Sequence, residues 1–326
     1  MKVFLAGHHA HVGVFGKPEL KLSSFLKDQG WELTESYVQA EVICAIEVPA
    51  TRFSRLRVPS GTSQKGLLVI QEPEVVWPAN SNSNALALFA QRIEVGRPIT
   101  GTKWPLIWPV SRQHFDPEQK RSRACVIAGD KLSCIQGELY SLRREVVHFD
   151  SRVDLYGQGW RRTFLQRIKD VAYQMVLLAM SGRPLSLKSL NLFFRKPQRY
   201  LGPVEDKIST NSTYKVSVVI ENSATYMSEK FLEAVVAGSI PVYVGPNPSH
   251  FGIPDELYIL AEPSLAAISD GITEALAMNY ESWALAALAF LESDQVKKEW
   301  SLETHWQAIH AALSRLAEAN SSGVPG

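Results

Sequence analysis

Several things are scarce in this sequence, and each scarcity removes a class of protein. Of 326 residues only three are cysteines, Cys44, Cys125 and Cys134. An odd number without C-x-x-C spacing supports neither a disulfide scaffold nor a thiolate metal site, so they read as packing residues of a chain kept in a reducing compartment. The longest apolar run, Trp283 to Leu291, has nine residues, about half of the ~20 that a bilayer-spanning helix needs. The opening segment, Met1 to His8, carries one cation and too short an apolar run for a secretory signal, so a cytoplasmic location is expected. An excess of one charge is also missing: 34 Lys and Arg face 33 Asp and Glu, for a net +1. Nucleic acid, which needs a broad basic surface, is therefore not an expected partner, and any anion site must be local. Gly7, Gly13 and Gly16 lack the G-x-G-x-x-G spacing of a dinucleotide fingerprint. His8, His9 and His11 lack the helical H-x-x-x-H spacing of a zinc site; they read as a loop at the end of the first strand, and no metal is expected.

What is present is an ordinary globular balance, 45% apolar and 21% charged, in a chain long enough for two domains of about 100–200 residues. Short apolar runs at Lys2–Ala6, Ala40–Ile46 and Leu67–Ile70 read as strands, with a helix over Leu20–Gln29 ended by Gly30. After the third run comes Gln71-Glu72-Pro73, where proline ends the ladder, so Glu72 sits just beyond a strand. From Trp104 to Gln119 the chain is irregular and proline-rich, and the division is placed there, as domains 1–116 and 117–326. A second α/β series follows: a strand at Ala124–Ile127, a helix near Glu138–Val147, a strand at Val153–Tyr156 and a long helix over Phe164–Met180. A basic stretch, Arg183 to Arg199, reads as a solvated face that could meet anionic head groups in a peripheral membrane contact. The tail, with Trp306, Ile309, Ala312, Leu313 and Leu316 on one stripe, reads as helices closing the second domain. The fold class is α/β.

The richest segment is Tyr214 to Leu260. Tyr214–Ile220 has the β-branched pattern of a strand buried on both faces of a parallel sheet, and it ends at Glu221-Asn222-Ser223. Ligands of open α/β sheets bind beyond the carboxyl ends of strands. A helix begins near Ser228, with Phe231, Leu232, Val235 and Val236 as its buried stripe and Gly238 suited to a left-handed terminus. Glu229 and Lys230 fall in its first turn, where unpaired amides and the helix dipole favour a phosphate. A further buried strand, Ile240–Val244, turns on Gly245. This pattern fits a nucleotide-sugar site.

These residues carry a family resemblance. The run Y-K-V-S-V-V-I-E-N-S at 214–223, then Y-M-S-E-K at 226–230, then A-G-S-I-P-V at 237–242, is similar to the C-terminal motif of the α-1,3/1,4-fucosyltransferases. Lys207 and the Val153–Gly159 segment also resemble that family, over roughly 123–262 of the chain. The resemblance implies two facing Rossmann-like domains, the GT-B arrangement, and an inverting enzyme that uses GDP-fucose without a bound metal or cofactor. It places Tyr226, Glu229 and Lys230 at donor-binding positions, with Lys230 on the diphosphate and Glu229 on nucleotide-sugar hydroxyls; Glu221 and Asn222 match the preceding motif. Inversion needs a base on the opposite face of the sugar. Gln71-Glu72-Pro73 is similar to the family's E-S-P segment, which makes Glu72 the candidate, with Glu74 close enough to compete. The implied acceptor is a glycan, lipid-linked or a surface polysaccharide.

One departure matters. The family's arginine early in the first helix of the C-terminal domain corresponds here to Gly137, and Arg143 or Arg144 is the replacement one turn later. Another nucleotide sugar as donor, or a non-catalytic glycan- or nucleotide-sugar-binding protein, therefore stand as alternatives. Trp77, Trp104 and Trp108 are open between sugar stacking and core packing.

Overall fold

In the computed structural model of the protein, residues 1–6, 21–50, 57–58, 62–98, 101–181, 190–197 and 199–321 are described. The segment holding Gly7, His8, His9, His11, Gly13 and Gly16 lies outside them, as does the part of the basic stretch from Arg183 to Ser189. The chain forms two units, Met1–Trp104 with Leu302–Gly326, and Pro105–Ser301.

The first unit is built on a sheet of β1 (Lys2–Ala6), β2 (Glu32–Leu33), β3 (Val42–Ile46), β4 (Gly66–Ile70) and β5 (Gln91–Glu94). All its pairings are parallel, in the order β2-β1-β3-β4-β5. Helices α1 (Leu22–Asp28), α2 (Thr62–Lys65) and α3 (Ser83–Leu86) connect the strands. β3 and β4 are buried at every position, which is why their sequences are continuous apolar runs without alternation. Ile43, Ala45 and Val48 meet Leu68, Ile70 and Phe89 in one core, where each large aliphatic side chain contributes about 1.5–3 kcal/mol by burial.

The second unit holds β6 (Arg121–Ile127), β7 (Val153–Tyr156), β8 (Tyr200–Gly202), β9 (Tyr214–Ile220), β10 (Ile240–Val244) and β11 (Ile259–Leu260). They form a parallel sheet in the order β11-β10-β9-β6-β7-β8. Its helices are α4 (Tyr140–Phe149), α5 (Phe164–Ser181), α6 (Leu190–Phe193), α7 (Lys207–Asn211), α8 (Glu229–Val236), α9 (Leu265–Ala277), α10 (Tyr280–Leu291) and α11 (Asp294–Glu299). Counted within the unit, the strand order is the doubly wound 3-2-1-4-5-6, and it reverses between β6 and β9, the position at which such sheets bind nucleotides. The turn after α8 matches its sequence: Gly238 has φ 67°, and a Cβ there would stand 2.2 Å from the His114 carbonyl oxygen.

Two boundaries differ from the sequence reading. The division falls after Trp104 rather than at 116/117, because the proline-rich segment packs on the second unit; His114, for example, lies against Gly238 and Val236. The last helix, α12 (Leu302–Ser321), belongs to the first unit rather than the second. Its buried face is His305, Ile309, Ala312, Leu313, Leu316 and Ala317, while Trp306 packs on Phe25 at 5.3 Å and His310 accepts the Trp31 indole N–H at 3.0 Å. An apolar stripe shows that a helix has a face to bury, but not which sheet receives it. The three cysteines are buried and unpaired. Among the described residues no helix is long and apolar enough to cross a membrane.

Candidate functional site

At the carboxyl end of β9 the chain passes from a strand buried on both faces to a buried carboxylate. Glu221 is fully enclosed; its Oε1 accepts the Ser228 N–H at 2.7 Å and its Oε2 the Ser228 hydroxyl at 2.6 Å. The Tyr243 hydroxyl donates to Oε1 at 3.4 Å, and burial together with Glu221 pushes its pKa well up, keeping it a neutral donor. Glu221 thus fixes the start of α8, for which Ser228 is the N-cap. Lys230 donates from Nζ to Ser228 Oγ at 2.7 Å and stands 3.7 Å from Glu221 Oε2, so the cation of the first turn is held over the helix N-terminus. Tyr226 is buried in the loop between these two segments.

Glu229 points toward cations as well. Burial raises its pKa, but the charges of Lys230 and Lys207, the backbone N–H of Glu229 itself and the charge of Lys131 together outweigh burial and hold the carboxyl below its ordinary value. Its neighbour Glu233 is moved the other way by burial and by Glu229, although Lys207 donates to it at 2.9 Å. The Lys207 ammonium lies 3.9 Å from Glu229 and serves both carboxylates.

Across the point where strand order reverses, α4 supplies an arginine. Arg143 donates from Nε to the Ile220 carbonyl at 2.9 Å, from Nη2 to the same oxygen, and from Nη2 to Asn222 Oδ1 at 3.0 Å. It is buried, and its guanidinium lies 5.0 Å over the Tyr140 ring. Burial lowers its pKa, opposed by Tyr140, Glu221, Glu138 and Glu229, and a guanidinium stays charged in any case. The start of α4 is tied to the same place: Leu139 N–H donates to the Asn222 carbonyl at 3.1 Å, and Glu138 accepts from Ser141 N–H at 2.9 Å. The N-termini of α4 and α8 therefore meet at the end of β9. A small cavity between β6 and β9 is lined by Ile127, Ala128, Arg143, Ile220, Lys230 and Glu233.

The structure thus brings together Glu221, Asn222, Tyr226, Glu229, Lys230 and Arg143. It does not bring Arg144 to them. That side chain donates to Asp130 at 3.0 Å in a pair buried on both sides, with Arg167 at 2.9 Å on the other carboxylate oxygen and the Phe193 ring 4.7 Å below. Adjacent helical residues point about 100° apart, so only one of the two arginines can face β9. Gly137 has φ 91° and precedes the helix, with open space where a Cβ would stand; an arginine there would sit in a backbone conformation that disfavours side chains. Lys131 and Glu233 were not anticipated, since one lies in a loop and the other reads as a solvent-facing residue of α8.

In the first unit, Glu72 follows β4. Its backbone N–H donates to Glu47 Oε1 at 3.0 Å, and that of Gln71 to the same atom at 2.9 Å. Glu47 was not anticipated. It is 2% exposed and is the one non-glycine with positive φ, 62°, among the described residues, a conformation that costs about 1–3 kcal/mol. Burial pushes its carboxyl up to about 8, reinforced by the charge of Glu72 and resisted by the N–H groups of Asn80, Gln71 and Glu72. Its local mark is only a carboxylate between a strand and a proline, Ile46-Glu47-Val48-Pro49, as at Ile70-Gln71-Glu72-Pro73. Glu74 pairs with Arg97 at 3.2 Å. The Trp77 indole donates to the Val48 carbonyl at 2.9 Å and Trp104 is buried, both packing roles.

Among the described residues no group of three or more His, Cys, Asp or Glu side chains is arranged to hold a metal ion. The second unit instead offers Lys230, Arg143, Lys207 and Lys131 beside two helix N-termini, a combination suited to a polyanionic ligand.

No family model and no curated protein matches the sequence. Solved structures do match the fold. An α1,3-fucosyltransferase with GDP superposes with a TM-score of 0.51 at 13% identity, covering 97% of this chain and 90% of that one. An α-glucosyltransferase in complex with UDP and a 13-mer DNA containing an HMU base gives a TM-score of 0.51 at 9% identity, covering 96% and 99%. The two parallel sheets with their helices are an α/β fold that matches the GT-B fold of these two transferases.

Proposed function

We propose that this chain is an inverting glycosyltransferase that takes fucose from GDP-fucose and places it on a hydroxyl of a glycan. The observation that carries the reading is the convergence, at the reversal point of the second sheet, of the Glu221-Asn222 segment, the first turn of α8 with Glu229 and Lys230, and Arg143. In the reaction the acceptor oxygen bonds to the anomeric carbon as the bond from that carbon to the diphosphate oxygen breaks. The acceptor's proton passes to a carboxylate, and the electron pair stays on GDP. Negative charge develops on the leaving diphosphate, where fixed amides and cations stabilise it without a metal. Lys230, Arg143 and the α8 N-terminus are the groups for that task, Tyr226 and Glu229 those for the nucleotide-sugar body, and Glu72 the base.

A second donor class stays in view because Gly137 stands where the fucosyltransferase pattern has arginine, and a neighbour of the same fold holds UDP. A lipid-linked or surface polysaccharide acceptor and a peripheral membrane contact remain part of the proposal. Melting curves with a panel of GDP- and UDP-sugars test it, since a ligand of the native state raises its stability by RT ln(1 + [L]/Kd). GDP-fucose and GDP are expected to raise the transition. A shift with UDP-sugars alone transfers the reading to another donor, and binding without GDP release under any acceptor, glycan or duplex DNA, leaves a binding protein.

A further inference from the structure

Both backbone polar groups of Glu72 end on two side chains from elsewhere in the chain. Glu47 Oε1 accepts its N–H at 3.0 Å and that of Gln71 at 2.9 Å. Asn80 Nδ2 donates to the Glu72 carbonyl at 2.9 Å and to Glu47 Oε2, while its Oδ1 accepts the Val48 N–H at 3.0 Å. Glu47 is in turn tied to the sheet through its own N–H, which donates to the Val69 carbonyl at 2.9 Å. Asn80 therefore ties the turn after β3 to the turn after β4, and Glu47 fills the space between them. With both carboxylate oxygens taken up by N–H donors and the side chain enclosed, Glu47 is not placed to meet a substrate. What it can do is hold the backbone beside it, and its left-handed φ of 62° is what directs the carboxylate across to β4.

We infer that Glu47, together with Asn80, is a positioning residue that holds the Glu72 turn in one conformation; the catalytic part of this inference rests on the reading of Glu72 as base. A base on a turn just beyond a strand is free to wander unless its backbone is pinned, and an error of 1 Å in a reacting group can cost about 100-fold in rate. A carboxyl group suits the task because each of its two oxygens can accept N–H groups from a different segment.

The test combines local hydrogen exchange with kinetics. Glu47→Ala is expected to speed amide exchange in a peptide covering Gln71 and Glu72 by at least about tenfold while peptides of β9 and α8 keep their wild-type rates. Glu47→Gln, whose amide oxygen can accept the same two N–H groups, is expected to restore slow exchange. In donor hydrolysis followed as GDP release from GDP-fucose, Glu47→Ala should lower kcat by about 10- to 100-fold with KM unchanged, and should add nothing in a Glu72→Gln background. Unchanged exchange at Gln71 and Glu72 in a folded Glu47→Ala protein overturns the clamp, and an equal kcat loss with and without Glu72 overturns the route through it. Should Glu47→Ala fail to fold, Asn80→Ala reads the same turn by the same exchange measurement. Full turnover in Glu72→Gln removes Glu72 as base, while the exchange result still decides whether Glu47 holds the turn.

Discussion

The two sheets end in opposite chemistry. In the first unit, the turns after β3 and β4 bring two carboxyl groups near each other, Glu47, on which N–H donors converge, and Glu72, whose backbone N–H is one of those donors. In the second, the ends of β6 and β9 gather Lys131, Arg143, Lys207 and Lys230 around Glu221, Glu229 and Glu233. The same parallel geometry exposes strand ends in both units, so the difference comes from the side chains that follow each strand. One end suits a group that accepts a proton, the other a group that receives a departing anion. Net charge hides this because it sums 34 cations and 33 anions over the whole chain, which is how a chain of +1 can still carry a local anion site.

The sharpest way to break the comparison is to remove the proposed base. Glu72→Gln is expected to lose roughly 10²–10⁴-fold in turnover while the melting shift with GDP-fucose stays at the wild-type value. Loss of both, or of neither, would show that the first unit's strand ends do not act in proton transfer, and Glu74→Gln would then be compared next.

On the cationic side the expected effect is somewhat smaller and of a different kind. Lys230→Ala should lower kcat/KM by about 10²–10³-fold and reduce donor-induced stabilisation. It also strips a partner from the buried Glu221, so the melting temperature without donor should fall too. Arg143→Met is expected to weaken donor binding in the same assay. Arg144→Met should lower stability through its buried pair with Asp130 and leave the donor shift intact. If Arg144, and not Arg143, changes the donor shift, the assignment of the arginine by its direction from α4 is wrong.

The smallest expected effect concerns pH. Folding raises the Glu47 carboxyl from 4.5 to about 8, so between those values the folded chain holds a proton that the unfolded chain releases. The associated stability is complete below pH 4.5 and is lost as pH rises through about 8. Wild-type protein should therefore lose melting temperature between pH 5 and 8.5 relative to Glu47→Gln, which cannot titrate. Parallel curves would mean that Glu47 is ionised throughout and that the clamp is an anion at every working pH.

How much of this was legible depended on how local the information was. Strands β3, β4, β6, β9 and β10 could be read from their apolar runs, and the start of α8 from Ser228 and its terminus from Gly238, because burial on both faces and helix capping are written in consecutive residues. Glu221, Asn222, Glu229 and Lys230 were found for the same reason, since one strand and the helix after it bring them together. Glu47 was missed because its meaning lies in Gln71, Glu72 and Asn80, 24 to 33 residues away, and Lys131 because a loop residue has no periodicity. The choice between Arg143 and Arg144 needed the direction of a helix relative to a sheet, which adjacent residues in a sequence cannot supply. The placement of α12 needed the same kind of information: its stripe demanded a partner, and two sheets were available.

Composition and pattern thus determined the α/β class, the elements around β9 and the kind of residues that would meet there, since these follow from short-range sterics, periodicity and capping. Strand order, the point of its reversal, the arginine that faces it and the carboxylate that grips the Glu72 turn were decided only in three dimensions. They depend on long-range packing, in which buried polar groups must find partners wherever the fold presents them.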